Sequence, residues 1–297
     1  MRAKTNGIEI EFDCHGEEGA PAIVLIMGLG AQLVRWPQSL VDGLVALGFR
    51  VIRFDNRDCG KSTSMVDGGV PILDAVISGA QTAPYSLDDM ALDTLGLMDW
   101  LGIEQAHIVG TSMGAMVGQL IAADHPERVL SLTSIMSTTG NPDLSPPDPD
   151  VFEKLTRPRP DPRDDLSKYL DYEVWRAGLI ASPGYPTDPG KIRDNVRLEY
   201  ERGYNPDGVA RQMAAIFSSE ERRDKLATIC VPTLVFHGME DPLIPPDAGE
   251  DTAANIPGAR LMLVPGLAHD LPEQLMPLFC SAFGELVRSG NESKAPQ

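Results

Sequence analysis

Cysteine is scarce in this chain, and its pattern bears on the compartment in which the protein works. The 297 residues include four cysteines, at positions 14, 59, 230 and 280, and no C-x-x-C pair. Disulfide frameworks are typical of short secreted chains with closely spaced cysteines. We therefore expect reduced, mostly buried thiols in a cytoplasmic protein, although the even number of cysteines leaves disulfides open.

The chain also lacks long apolar runs and has few basic residues. No run approaches the roughly 18 apolar residues of a membrane-spanning helix, and no apolar stretch follows the N-terminus as in a signal peptide. The chain has 25 basic against 43 acidic residues, which gives a formal net charge of -18. Such a surface repels phosphate backbones and anionic lipids, so we expect neither nucleic acid nor a membrane as a partner.

Strand and helix patterns alternate through the first half of the chain. Strand patterns occur at residues 8–12, 22–27, 49–54, 106–110 and 130–136. The run at 22–27 is continuously apolar, as in a strand that is buried on both faces. Helical periodicity separates these strands, at residues 38–47, 88–101 and 113–124. This alternation predicts an α/β fold with a mostly parallel central sheet flanked by helices.

The pattern changes after about residue 138. Residues 140–165 are rich in proline and aspartate, which predicts a loop leaving the sheet, and several short helices are predicted over residues 166–225. Strand patterns return at residues 231–236 and 261–264, before a helical tail at 272–288. We therefore divide the chain into an α/β core, residues 1–137 and 226–297, and an inserted helical cap, residues 138–225.

A serine lies where a buried strand pattern meets an apolar helix pattern. Residues 110–114 have the sequence G-T-S-M-G, with Ser112 at the centre. Serine nucleophiles occupy such strained strand-to-helix turns, where glycine removes side chains that would clash with the nearby backbone. Glycine and serine are common, so the pattern alone is weak, and its position between strand and helix is what predicts a nucleophile.

Five histidines are candidates for the base that Ser112 needs. Reactive groups in an open α/β sheet gather at the carboxyl ends of strands, which favours His237 and His269. The chain order of nucleophile, acid and histidine further favours His269. The acid should follow a strand between Ser112 and His269, and we choose Asp241 over its neighbour Glu240. An acid there holds the imidazole tautomer and stabilises the imidazolium.

Backbone amides are the candidates for stabilising a negatively charged oxygen. The sequence M-G-L-G at residues 27–30 closes the second strand pattern, and Met113 directly follows the candidate nucleophile. We expect the N–H groups of Leu29 and Met113 to form an oxyanion hole. The loss of one such donor typically costs about 3 kcal/mol of activation free energy.

These features resemble the α/β-hydrolase superfamily in their order and spacing, over nearly the whole chain except the cap. The sequence D-N-R-D-C-G-K-S at residues 55–62 is similar to the family's D-x-R-G-x-G-x-S loop, to which we assign a structural role. Met27 stands where the family usually has histidine, and Asp58 where it has glycine. In both positions the chain is similar to bacterial relatives of the aclacinomycin methylesterases, which cleave a methyl ester from a polyketide. The resemblance implies a serine esterase.

The predicted function is therefore that of a serine carboxylesterase acting on small to medium, fairly apolar esters, with no metal and no cofactor. A methylesterase of a polyketide-type substrate, a carbon–carbon bond hydrolase, a lactonase and a perhydrolase remain open, because they use the same three residues. A non-catalytic binding protein is the alternative of a different class. Epoxide hydrolases and haloalkane dehalogenases of this fold carry an aspartate nucleophile, and Ser112 argues strongly against both. Residues that could line the substrate pocket are Gly28, Trp36, Trp175, Ile244 and Leu267.

Overall fold

An eight-stranded sheet runs through the protein, whose computed structural model describes residues 1–292. Its strands are β1 (Arg2–Thr5), β2 (Ile8–His15), β3 (Ala22–Ile26), β4 (Arg50–Phe54), β5 (Ala106–Thr111), β6 (Val129–Ile135), β7 (Thr233–Gly238) and β8 (Arg260–Val264). Their order across the sheet is β1-β2-β4-β3-β5-β6-β7-β8. The β1–β2 and β2–β4 pairs are antiparallel, and all the other neighbours are parallel. The prediction of a mostly parallel sheet is confirmed.

Helices cover both faces of this sheet. They are α1 (Gln38–Ala46), α3 (Leu87–Trp100), α4 (Met113–Asp124), α10 (Pro246–Asn255) and α11 (Met276–Glu292), whereas the short helix α2 (Leu73–Ile77) packs against the helices between β6 and β7. Alternate residues of β3 serve opposite sides: Val24 joins an apolar cluster with α3 and α4, whereas Leu25 joins one with α1 and α11. A strand buried on both faces needs the continuous apolar run that β3 shows in the sequence.

Five further helices lie between β6 and β7. They are α5 (Pro149–Thr156), α6 (Leu166–Gly178), α7 (Pro189–Arg202), α8 (Pro206–Phe217) and α9 (Arg223–Leu226). The first four fall within the predicted cap, residues 138–225, and α9 ends one residue beyond it. The segment predicted as a cap is therefore helical, and its limits as a cap stay a prediction. The prediction of a continuous loop over residues 140–165 is wrong, because α5 begins there at Pro149. The Asp148 side chain accepts hydrogen bonds from the N–H groups of Asp150 and Val151 and thereby caps this helix.

The four cysteines are free thiols, but they are not mostly buried as we expected. Cys59 is buried, Cys14 and Cys280 are half-buried, and Cys230 is exposed just before β7. Across residues 1–292, no helix combines the length and the apolar character that crossing a bilayer requires. The expected cytoplasmic location stays a prediction. The last five residues of the core segment 226–297 lie outside the described residues.

Candidate active site

Ser112 occupies a sharp turn between β5 and α4. Its backbone has φ 54° and ψ −120°, a conformation that is strained for a residue with a side chain. The glycines on either side are required by close packing. A Cβ on Gly114 would lie 2.1 Å from the carbonyl oxygen of Ile26, and one on Gly110 would lie 2.3 Å from that of Gly114. The turn therefore presents the Ser112 side chain at the carboxyl end of the sheet.

The structure brings His269 and Asp241 to this serine. His269 follows β8, and its Nε2 lies 3.2 Å from Oγ of Ser112. Its Nδ1 lies 2.7 Å from Oδ2 of Asp241, which follows β7. The other oxygen of Asp241 accepts hydrogen bonds from the N–H groups of Leu243 (2.9 Å) and Ile244 (2.8 Å). A carboxylate held in this way fixes the imidazole so that its unprotonated Nε2 faces the serine.

His237 and Glu240, the alternative candidates for the base and the acid, have other hydrogen-bond partners. His237 Nε2 donates a hydrogen bond to the carbonyl oxygen of Ile244 at 2.8 Å, and it lies 3.8 Å from Oδ2 of Asp241. Burial lowers the pKa of His237, so this imidazole is neutral and supports the loop that carries Asp241. The Glu240 carboxylate accepts a hydrogen bond from the N–H of Gly266 at 2.6 Å. The geometry therefore favours Asp241 and His269 as the partners of Ser112.

Two backbone N–H groups, one following Gly28 and one following Ser112, have no protein acceptor among the described residues. They belong to Leu29 and Met113. Gly28 brings the first of them close, because a Cβ on Gly28 would lie 3.3 Å from Cβ of Ser112. Residues 27–33, here called the oxyanion loop, are anchored on both sides: Asn56 Nδ2 donates to the Met27 carbonyl at 2.9 Å, and the Leu33 N–H donates to Asp55 at 2.7 Å. Their role as an oxyanion hole stays a prediction that this arrangement supports.

The loop that carries His269 is tied to the segment between α6 and α7. The His269 N–H donates to the carbonyl of Ile180 at 3.1 Å, and the Ala268 N–H donates to Oγ of Ser182 at 2.9 Å. The Ser182 hydroxyl in turn donates to the Asp270 carboxylate. Our sequence reasoning missed these residues, because a serine in a loop carries no signal of its distant partners.

The loop at residues 55–62 also joins the core to the predicted cap. Asp58 has φ 66°, the left-handed conformation for which the family's glycine is suited. Its carboxylate accepts two hydrogen bonds from Arg211 of α8, at 2.8 and 2.7 Å. Arg202 of α7 donates to the Asp55 carboxylate at 2.6 Å. These contacts agree with the structural role that we assigned to this loop.

The predicted pocket residues lie in different surroundings. Gly28 lies against Ser112, and the half-buried Ile244 follows the candidate acid. Trp36 and Leu267 are 1% and 0% exposed and belong to one core cluster. They offer a substrate no surface, so the structure does not support them as pocket residues. Trp175 of α6 is 42% exposed and packs on Tyr172, and its place in a pocket stays a prediction.

The known proteins to which this chain is similar include several hydrolases. Residues 21–274 match the family described as the alpha/beta hydrolase fold, and the chain belongs to that family. A rhodomycin D methylesterase of Streptomyces peucetius is 30% identical over 86% of this chain and 87% of its own length. A 2-hydroxy-6-oxononadienedioate/2-hydroxy-6-oxononatrienedioate hydrolase of Cupriavidus pinatubonensis is 28% identical over 88% of this chain and 86% of its own.

A solved structure gives the same result. The enol-lactonase of Burkholderia xenovorans superposes with a TM-score of 0.66 at 26% identity, covering 98% of this chain and 100% of the other. The α/β-hydrolase fold and the similarity to bacterial methylesterases, both expected from the sequence, are confirmed. The names of these relatives also support the prediction of an ester-acting hydrolase.

Proposed function

We propose that the protein is a serine carboxylesterase that hydrolyses small to medium, fairly apolar esters through an acyl-enzyme on Ser112. The chain of hydrogen bonds from Asp241 through His269 to Ser112, at 2.7 and 3.2 Å, carries this proposal. In this arrangement an imidazole nitrogen lies within reach of the serine hydroxyl, and a carboxylate lies on the far side of the imidazole, which supports a base-activated nucleophile.

The reaction has two stages. The Ser112 hydroxyl gives its proton to Nε2 of His269 while Oγ bonds to the ester carbonyl carbon. The carbonyl oxygen gains negative charge and binds the N–H groups of Leu29 and Met113, and Asp241 stabilises the imidazolium. The carbon–oxygen bond to the alcohol breaks, and the alcohol leaves with the proton from His269. Water, activated by the same histidine, then releases the acid and restores Ser112.

Charge and surface favour a neutral, fairly apolar ester. Leu29, whose N–H is a candidate oxyanion donor, and Ile244, which lies three residues after the candidate acid, have half-buried side chains that offer apolar contact. A formal net charge of -18 disfavours anionic substrates. We therefore expect activity on uncharged esters, with chain-length preference set by the helices between β6 and β7.

A methylesterase acting on a polyketide-type substrate is the second candidate. The relative from Streptomyces peucetius favours it, since its name specifies a methyl ester of rhodomycin D and it matches this chain at 30% identity. Lactonase, carbon–carbon bond hydrolase and perhydrolase activities use the same three residues and stay open. A substrate panel separates these alternatives.

The first test combines covalent labelling with turnover. A fluorophosphonate should label wild-type protein at Ser112, and Ser112→Ala should lose both the label and turnover of p-nitrophenyl esters, by about 10⁵-fold in kcat. Ser289→Ala is the matched control, because within residues 1–292 the Ser289 hydroxyl bonds only to carbonyls of its own helix α11. Methyl esters, lactones and a carbon–carbon bond substrate complete the panel. Folded wild-type protein that is unlabelled at Ser112 would contradict the proposal.

A further inference from the structure

Gln212 of α8 connects the oxyanion loop to the helices between β6 and β7. Its side chain is fully buried, with 0% of its surface exposed. Its Oε1 accepts a hydrogen bond from the Gly30 N–H at 2.8 Å, and its Nε2 donates to the Arg57 carbonyl at 2.7 Å. One partner is a donor and the other an acceptor, so the two ends of the amide are both used and their orientation is determined.

The bonded glycine directly follows Leu29, whose free N–H is the candidate oxyanion donor. Gly30 has φ 67°, and a Cβ there would lie 2.9 Å from a methyl group of Val209, also on α8. Helix α8 therefore holds this point of the loop both by packing and by a hydrogen bond. An oxyanion donor contributes to catalysis only when it is held in place before charge develops on the substrate.

The hydrogen bond from Gly30 to Gln212 acts directly beside the candidate oxyanion donor, the Leu29 N–H. It engages the N–H immediately after that of Leu29, and the Ala31 N–H donates to the carbonyl of Gly28 at 3.2 Å. The Gly28 carbonyl belongs to the same peptide unit as the Leu29 N–H, and the Gly30 N–H belongs to the next unit. The two bonds therefore hold both peptide units of Leu29, while its own N–H has no acceptor among the described residues. Without Gln212, the Gly30 N–H would lose its buried acceptor, and the loop could turn to satisfy it elsewhere.

We propose that Gln212 is a positioning residue for the oxyanion loop and that it acts through Gly30 to orient the Leu29 N–H. This inference rests on the proposed esterase function. It predicts that removing the Gln212 amide weakens transition-state stabilisation much more than ground-state binding of the ester. A purely structural role would lower stability and leave the kinetics of the folded protein unchanged.

Gln212→Met is the decisive variant, because methionine has a similar size and makes neither hydrogen bond. We expect kcat per fluorophosphonate-titrated site to fall about tenfold to 100-fold, with KM changed by less than about threefold. Gln119→Met is the matched control. Gln119 is also fully buried and loses two hydrogen bonds, from Nε2 to Ser134 and from Arg222 to Oε1, none of them on the oxyanion loop.

A boronic acid inhibitor gives a second measurement, since its tetrahedral adduct on Ser112 places an oxygen at the oxyanion position. Gln212→Met should weaken this inhibitor by about the same factor as kcat, and Gln119→Met should leave it unchanged. A ground-state competitor, such as the product alcohol, should bind all three proteins equally.

Gln212→Glu tests the same inference if Gln212→Met fails to fold. A protonated glutamic acid can accept from Gly30 and donate to the Arg57 carbonyl, and burial raises its pKa. The kcat of this variant relative to wild type should therefore be highest at low pH and fall as the acid ionises, between about pH 6 and pH 9. A ratio that stays well below one even at the lowest pH, where the acid is protonated and can make both hydrogen bonds, would overturn the inference.

The remaining outcomes separate the two proposals. If wild-type protein hydrolyses esters and Gln212→Met loses no more kcat or inhibitor affinity than Gln119→Met, the positioning role of Gln212 is wrong. A loss confined to KM would also overturn it. If folded wild-type protein neither labels at Ser112 nor turns over esters, the proposed function itself is wrong.

Discussion

Asp58 holds a backbone conformation in which a side chain costs about 1–2 kcal/mol. Its φ of 66° is compensated by two hydrogen bonds to Arg211, in a pair whose side chains are buried. Burial raises the pKa of Asp58, but the hydrogen bonds from Arg211 and from the Met65 N–H outweigh it and leave the pKa below its usual value. The aspartate that stands in place of the family's glycine is therefore paired with Arg211 on α8.

Replacing Asp58 by asparagine tests this pair. Asparagine tolerates the left-handed conformation and has the same shape, so the change isolates the charge. A buried Arg211 without its counter-ion should lower the free energy of unfolding by about 3 kcal/mol, measured by urea denaturation at neutral pH.

The same comparison has a defined pH dependence. A carboxylate with a lowered folded-state pKa stabilises the protein above its unfolded pKa of about 3.9, and this contribution disappears as the pH falls through the lower folded value. The difference in unfolding free energy between wild type and Asp58→Asn should therefore be constant above about pH 5 and shrink below about pH 4. A difference that grows on acidification would show that the pair is not ionised as described.

The three residues of the candidate triad could be predicted from the sequence. The residues that hold the loops around them could not. Asp241 and His269 follow strand patterns in the right order, which is local information. Gln212 and Ser182 are ordinary polar residues whose partners are backbone groups far away in the chain. Trp36 was chosen for its residue type, and only the structure shows that it packs inside the core.

Among the elements, the segment between α6 and α7 supports the loop that carries His269. Ser182 is the central contact, because it bonds both to the Ala268 N–H and to the Asp270 carboxylate, whose pKa is raised by burial. Removing the hydroxyl leaves a buried N–H and a half-buried carboxyl group without this partner. The catalytic loop should then lose its fixed position.

We therefore expect Ser182→Ala to lower kcat about tenfold, since small misplacements of a catalytic group have large effects on rate. Titrated active sites and circular dichroism should show that the protein is folded. Ser218→Ala is the matched control, because the Ser218 hydroxyl bonds only to carbonyls of its own helix α8. If both variants have the same kcat per titrated active site, Ser182 does not position the loop that carries His269.

Two elements that the sequence did not predict, β1 and α10, lack a clear apolar periodicity. Strand β1 has the sequence R-A-K-T and exists because it pairs with β2, in the register that places Ala3 opposite Ile10. Helix α10 is made mostly of small and polar residues, and its Gly249 lies so close to His237 that a Cβ would be 2.7 Å from the ring. Tertiary contact decides such segments, whereas β3 and α4 were evident from apolar runs and periodicity.

Across the whole molecule, the excess of acidic residues acts on every approaching substrate. With a formal net charge of -18, we expect p-nitrophenyl hemisuccinate to have a higher KM than the similarly sized neutral butyrate. Raising the salt concentration to about 0.5 M should lower the KM of the anionic ester several-fold and leave that of the neutral ester nearly unchanged. A parallel change for both esters would instead indicate an effect of salt on the fold.

The order along the chain of the strands that carry the candidate triad determines when a newly synthesised chain can become active. Ser112 follows β5 in the middle of the sheet, whereas Asp241 and His269 follow β7 and β8, which are added last at one edge. Domains grow from the N-terminus during synthesis, so the serine turn can form while its base has not yet been made. A nascent chain therefore carries an inert serine. During refolding, the first appearance of turnover would mark the moment at which the final two strands dock.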